Sequence, residues 1–381
     1  VSARNGLNGR TARATRPFEE RETLVIAGQS IPLGETRELQ LPFDETYLGE
    51  PVSVPIYVMR APQPGPRVFL TGTLHGDELN GMGIIRELLY GNPLQLVRGS
   101  LILIPVINIH GLERHARNMP DRRDPNRCFP GSARGSQTSR MAHAIFTEIV
   151  KQCDYGIDFH SAAIRRVNYP NVRAYTRNLK TRMLAEAFGC ELIINNQGPQ
   201  GSLRRSAVQA GVPCIILEAG EVWKIEPTVV EIGVRGVLNV LRTVGMLQGE
   251  PRKPPFQLIV TKTSWVRAPT GGILDFHARP GDLVRRNECL ATISSVFGRE
   301  HSALLAPVDG IVLGMTTMPA VKPGGPVYHL AVLSKRNVRV ALHHLMNGER
   351  RGMFGRVRRE LSSAMAFRER ESRYGDAKSQ P

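Results

Sequence analysis

Three residues have the types and spacing of a metal-ligand set. His75 and Glu78 stand three apart in His75-Gly-Asp-Glu-Leu-Asn80, and His160 closes the run Tyr155-Gly-Ile-Asp-Phe-His160. Two histidines and a glutamate, with one coordination position left open, make a catalytic zinc set. Such an ion polarises a carbonyl oxygen and lowers the pKa of a water towards ~7. A carboxylate beside that water can take its proton and hand it to a leaving nitrogen. Glu218, in Leu217-Glu-Ala-Gly220, is the candidate base, with Glu221 ranked second because it lies past the glycine. An oxyanion forming on the carbonyl needs a nearby cation, and Arg117 is the candidate. Asn126 and Arg127 offer a fork of donors to a substrate carboxylate, which arginine binds better than lysine.

Each residue also has a plainer reading. A lone histidine beside an acid in a turn is more often part of a polar loop than a ligand. His160 could pair with Asp158, Glu218 could cap a helix or pair with an arginine, and a loop arginine is normally a solvated charge. His110, His115 and His143 fit that plainer case. The argument for one site is shared placement. His75 with Glu78, Asn108, His160 and Glu218 each follow a predicted strand, and in open α/β sheets ligands bind beyond the carboxyl ends of the strands.

The elements that must deliver these residues are legible as alternating patterns. Val68-Phe-Leu70 leads into the first turn, and Leu79, Met82, Ile85, Leu88 and Leu89 follow at helical spacing up to Gly91-Asn-Pro93. Leu101–Ile107 is a continuous apolar run, as expected of a strand buried on both faces. The loop from Arg114 to Gly131 is long and proline-bearing, a sign of function. Residues 138–152 read as a helix, Tyr155–Phe159 as a strand, Leu179–Phe188 as a helix, Val212–Leu217 as a strand and Val229–Leu247 as a closing helix. Strands alternating with helices predict an α/β domain with a mixed, largely parallel sheet.

Composition sets the outer limits. The 381 residues carry a net charge of +16, with 41% apolar and 22% charged residues, which is ordinary for a globular chain of about two domains. The longest apolar run is too short to span a bilayer, and the polar, basic first residues carry no charged-then-apolar signal. Five cysteines, widely spaced and without a Cys-x-x-Cys pair, fit a reduced, cytoplasmic protein and not a disulfide scaffold. From Arg336 onward ten Arg and one Lys face five acids, a net of +6, so nucleic-acid binding is a reading for the tail only.

Four segments follow: a mobile basic arm over 1–22, a zinc hydrolase domain over 23–250, a β domain over 251–335 and a basic tail over 336–381. The linker Glu250-Pro-Arg-Lys-Pro-Pro255 separates the middle two. The β domain repeats itself, Ala268-Pro-Thr-Gly-Gly-Ile-Leu274 echoing Ala306-Pro-Val-Asp-Gly-Ile-Val312, which predicts a small barrel or sandwich.

His75-Gly-Asp-Glu78, Asp124-Pro-Asn-Arg127-Cys-Phe-Pro-Gly131, Asp158-Phe-His160 and Leu217-Glu-Ala-Gly220 together resemble the succinylglutamate desuccinylase/aspartoacylase family, a relative of the zinc carboxypeptidases. The resemblance covers roughly residues 50–335. It implies a zinc carboxypeptidase-like fold and a zinc-dependent hydrolase of small N-acyl amino acids, with one Zn2+ on His75, Glu78 and His160. It further implies Glu218 as base, Arg117 at the carbonyl, and Asn126 with Arg127 at the carboxylate. Arg114 is the alternative to Arg117, because the alignment of Arg117 crosses a loop of variable length. The family usually has leucine where Pro125 stands. The β domain resembles the biotinyl/lipoyl barrel but reads Phe297-Gly-Arg-Glu300 where a carrier lysine belongs, so no attached cofactor is expected. A zinc carboxypeptidase or peptide-trimming amidase is the second reading, and a non-enzymatic binding protein the third. The expected partner is a small N-acyl amino acid, with neither membrane nor nucleic acid, and a homo-oligomer is allowed. Arg165, Arg166, Arg204 and Arg205 would favour an acidic acyl chain such as succinyl.

Overall fold

A computed structural model of the chain describes residues 23–91, 94–346 and 353–361. The arm expected over 1–22 and, of the tail, residues 347–352 and 362–381 lie outside them. Two short strands, β1 (Leu24–Ile26) and β2 (Gln29–Ile31), form a hairpin held by the buried Leu24, Ile26 and Ile31. The long hairpin of β3 (Thr36–Glu45) and β4 (Pro51–Arg60) follows, with buried and part-exposed residues alternating along β4. That period is what a strand shows when one face packs and the other is wet.

The next segments build the centre. In order they are β5 (Arg67–Thr71), α1 (Asn80–Arg86), β6 (Ser100–Ile104), α2 (Ile109–Glu113), α3 (Gln137–Glu148), β7 (Tyr155–His160) and β8 (Arg166–Ala174). They continue with α4 (Leu179–Phe188), β9 (Leu192–Asn195), α5 (Leu203–Gln209), β10 (Cys214–Gly220) and α6 (Pro227–Thr243). Strands β6, β5, β7 and β10 lie side by side and parallel, and β5, β6 and β10 are buried at every residue. Outside this parallel centre the sheet turns antiparallel, at β4 on one side and β8 on the other. Separate apolar cores cover the two faces. One packs Leu70, Ile84, Ile157, Leu217 and Val237 beneath α1, α4 and α6. The other packs Phe69, Ile102, Met141, Ile145 and Leu203 beneath α3 and α5.

Local chemistry sets the helix ends. Ser136, Asn178 and Ser202 each accept a hydrogen bond from a backbone N–H in the first turn of α3, α4 and α5. Gly189, at φ +86°, ends α4 in the left-handed conformation that side chains disfavour. Pro227 starts α6 where a missing N–H costs nothing. The helix leaving the first turn runs into a π-helical turn over Glu87–Gly91.

The C-terminal strands are β11 (Leu258–Val260), β12 (Thr263–Arg267), β13 (Gly272–Phe276), β14 (Leu283–Val284), β15 (Cys289–Ser294), β16 (Glu300–Leu305), β17 (Gly310–Thr316), β18 (Ala320–Val321) and β19 (Pro326–Val332). They fall into two groups. β16, β15, β13 and β18 form a separate four-stranded antiparallel sheet. The others extend the central sheet: β17 pairs with β8, β19 with β17, β12 with β19, and β11 runs parallel to β9. Hydrogen bonding therefore passes without a break from the central strands into the C-terminal ones. Beyond them, α7 (Lys335–Met346) and α8 (Met353–Glu360) are helical, with Phe354 and Val357 of α8 buried. Among the described residues no helix is long and apolar enough to cross a membrane.

Candidate metal centre

The first turn is built for close approach. Thr73 sits at φ 47°, an uncommon region for a β-branched residue, and its hydroxyl donates to the Glu78 carbonyl at 3.3 Å. Gly76 abuts Gly111, and a Cβ there would lie 2.0 Å from the Gly111 carbonyl carbon. This tight turn drops His75 and Glu78, each 2% exposed, beyond the carboxyl end of β5. His160 arrives as the last residue of β7, and Glu218 of β10 stands directly beside it in register.

The three expected ligands converge. The Glu78 carboxylate spans both histidines, with Oε1 2.7 Å from His75 Nδ1 and Oε2 2.8 Å from His160 Nδ1. One donor atom from each of the three lies within 4.8 Å of the others, all buried. Donors on a tetrahedral ion stand roughly 3.3 Å apart, so the set fits a small divalent ion after minor adjustment. The outward ring nitrogens are also fixed. His75 Nε2 meets Asp124 Oδ1 at 3.1 Å, and His160 Nε2 meets Asp158 Oδ2 at 2.8 Å. Asp158 is steadied in turn by the Thr71 hydroxyl at 2.8 Å. A carboxylate behind each imidazole orients it and raises its basicity, the arrangement metal-bound histidines usually carry. Asp124, not Asp77, orients His75: the Asp77 side chain has an unbonded buried oxygen, and its backbone carbonyl accepts from the Trp223 N–H.

The electrostatics favour a cation. Burial works against the charged form of both histidines, but facing carboxylates outweigh it and raise both, Glu78 for His75 and Asp158 with Glu78 for His160. Burial likewise opposes ionisation of Glu78, yet the two histidines hold it well below the usual carboxylate range. The same negative field that keeps protons on these imidazoles would hold a divalent ion in their place.

The remaining predicted residues reach the same cavity, of about 360 Å³. Arg117 bonds Glu78 Oε1 at 3.0 Å and Asp124 Oδ2 at 3.2 Å, whereas Arg114 does not line the cavity. Pro125 opens a single 3-10 turn over Pro125–Arg127 that Asp124 caps through the Asn126 N–H, so proline in place of leucine suits this backbone. Asn126 Oδ1 accepts from Leu203 N at 3.0 Å and its Nδ2 faces His160 Nε2 at 3.5 Å. The exposed Arg127 donates to the Asn126 carbonyl at 2.7 Å. Glu218 is held on the opposite wall by Arg173 Nη1 and Asn168 Nδ2, each at 3.1 Å. Glu221 pairs instead with Lys224 and lies outside the cavity lining.

Several wall residues had no signal in the sequence. Trp265 and His329 come from β12 and β19 and stack at 4.3 Å with their planes 4° apart, and Arg166 lies 4.7 Å over the indole. Of the four arginines expected to meet an acidic acyl chain, Arg204 is buried and gives both terminal nitrogens to Asn196. Arg205 bonds the Gly198 carbonyl, and only Arg166 and Arg204 line the cavity. A larger groove, about 760 Å³, lies between α1 and α6 and contains none of these groups.

Known proteins resemble this chain in sequence and fold. Residues 64–244 match the succinylglutamate desuccinylase/aspartoacylase catalytic domain. The chain is 27% identical over 269 residues to the N-alpha-acetyl-L-2,4-diaminobutyric acid deacetylase of Halomonas elongata, covering 67% of this chain and 78% of that protein. It resembles the crystal structure of a succinylglutamate desuccinylase/aspartoacylase from Rhodobacter sphaeroides, with 27% identity, a TM-score of 0.67, and coverage of 77% of this chain and 95% of that one. The product-bound ectoine utilization protein EutE (DoeB) of Ruegeria pomeroyi shares the fold, at 24% identity and a TM-score of 0.69, over 80% of this chain and 98% of that one. The histidines, the glutamate and the loop that carry the site all fall inside the segment that matches the succinylglutamate desuccinylase/aspartoacylase catalytic domain.

Proposed function

We propose that the protein is a zinc-dependent hydrolase that cleaves the amide bond of a small N-acyl amino acid. One observation carries this reading: His75, Glu78 and His160 bring three buried donors to one point, each histidine backed by its own carboxylate. A zinc ion on these donors supplies Lewis acidity and a water acidic enough to react near neutral pH. The chain's own groups do the rest. Asn126 and Arg127 hold the substrate's carboxylate at the mouth. Arg117, already oriented by Asp124, turns its guanidinium to the carbonyl oxygen and stabilises the negative charge that forms there. Glu218 takes a proton from the attacking water and passes it to the amide nitrogen as the C–N bond breaks, leaving a free acid and a free amine.

The peptide-trimming alternative fits less well. Trp265 and His329 close one side of the cavity, which leaves room for a small molecule and little for an extended chain. The N-acyl diaminobutyrate chemistry of the Halomonas relative supports an amide substrate without fixing its identity. The test is a deacylation screen over N-acetyl, N-succinyl and N-formyl amino acids with metal-reconstituted protein, alongside metal analysis. Stoichiometric zinc and hydrolysis lost in Glu78→Ala are expected. A protein that takes up no zinc, with a Glu78→Ala variant that keeps full amidase activity, would overturn the reading.

A further inference from the structure

Behind Glu218 the cavity continues into a second chamber of about 250 Å³, under the C-terminal strands. Its walls include Asn168, Asn171, Arg173 and Asn196, with Trp265 and His329 above them. A bulge makes this wall. Along the β8–β10 ladder Glu218 faces Asn171 and Gly220 faces Asn168, so β8 holds one residue more than β10 over that stretch. The extra residue lets Asn168, Asn171 and Arg173 all line the chamber, although strict alternation would place Asn168 and Asn171 on opposite faces.

The chamber's polarity is specific. Asn171 is 2% exposed, and its Nδ2 donates to the Tyr169 carbonyl at 2.8 Å and the Glu218 carbonyl at 3.4 Å. Those two acceptors fix the amide's orientation, and Oδ1 is left buried without a hydrogen-bond partner. A buried acceptor in that state is costly unless a ligand or water donates to it. Arg173 is already neutralised by Glu218. Burial, with Arg173 and Arg166 nearby, keeps His329 neutral over the physiological range. The wall is therefore close to electroneutral: three carboxamides, a paired arginine, an uncharged imidazole and an indole. An ammonium group would satisfy Asn171 Oδ1 but would meet Arg173 and no carboxylate in the chamber lining. A carboxylate would set its oxygens against Asn171 Oδ1, while Arg173 is already paired with Glu218 and Arg166 lies over the Trp265 indole, outside the chamber lining.

We propose that this chamber is a subsite for the end of the substrate remote from the scissile amide, and that it takes a neutral planar group able both to donate and to accept, a carboxamide or ureido group. The inference rests on the deacylase reading for the word substrate, and the test separates the two. The group can arrive on the amino acid or on the acyl chain, so both arms are needed. For metal-reconstituted full-length protein, kcat/KM is compared for N-acetyl-L-glutamine against N-acetyl-L-glutamate and N-acetyl-L-2,4-diaminobutyrate, and for N-succinamoyl-L-alanine against N-succinyl-L-alanine. In one arm the carboxamide is expected to lead by about tenfold or more, and that arm identifies the end which enters. Parity, or a lead for the charged members in both arms, overturns the subsite.

If no compound is hydrolysed, the deacylase reading fails, and calorimetric binding of L-glutamine against L-glutamate, and of succinamate against succinate, decides the chamber by the same criterion. Asn171→Leu removes the free acceptor and is expected to bring the preference close to unity. Should that variant not fold, Trp265→Ala opens the chamber from its exposed side and is expected to do the same. A preference that survives the loss of the chamber's wall would also overturn the assignment.

Discussion

At the scale of single residues, the strongest support for the metal centre comes from groups that do not touch the proposed ion. Asp158 is fully buried between Thr71 and His160. Asp158→Asn keeps the shape but removes the negative charge behind the imidazole, because a neutral amide oxygen accepts more weakly from Nε2–H than a carboxylate and the amide nitrogen can only donate. Zinc affinity is expected to fall by about 10–100-fold with the fold retained, measured by competition with a chromophoric chelator. His329 offers a check away from the ligands. Burial, then Arg173 and Arg166, lowers its pKa to about 4. In the unfolded chain it titrates near ~6.5, so on acidification the unfolded state takes the proton first. Its contribution therefore leaves stability intact above ~6.5 and erodes it as pH falls from there to about 4. An NMR titration of the His329 ring should show a midpoint close to 4. A midpoint near ~6.5 would mean that the imidazole is solvated.

At the scale of elements, periodicity made some pieces legible and hid others. Leu179–Phe188 was readable to the residue, because an apolar face, an asparagine cap and a terminal glycine agree there. The apolar run from Leu101 was also readable, although its strand stops at Ile104 and the rest turns into the site. Strand β8 was invisible. Its sequence, Arg166-Val-Asn-Tyr-Pro-Asn-Val-Arg-Ala174, holds a proline, two asparagines and two arginines, and a bulge breaks its alternation. Those features mark it as the wall of a site, since pure packing would have selected apolar side chains. The final helix has a similar history. The basic tail is read only for its charge, yet Arg358 of α8 is largely buried against Glu191 at 3.1 Å and lies 5.3 Å from the Tyr169 ring centroid. Arg358→Met removes the guanidinium paired with the buried Glu191 carboxylate. A loss of about 3 kcal/mol is expected, read from the denaturant midpoint.

At the scale of the whole molecule, the parallel α/β centre followed from strands alternating with helices. The convergence of the proposed site followed because the ends of those strands carry His75, Glu78, His160 and Glu218 in chain order. The contribution of the C-terminal strands could not follow in that way. Trp265 and His329 meet Arg166 only through tertiary pairing across about a hundred residues or more of chain, and no local pattern encodes it. The pairing itself has a mechanical consequence. Asn168 of β8 pairs with Gly220 on one side and with Gly314 of β17 on the other. The strand that anchors Glu218 is thus also the strand on which the roof of the cavity is hung. A roof hinged at a flexible linker could swing clear to admit substrate, but here such a swing would strip ladder hydrogen bonds from the anchor of the proposed base.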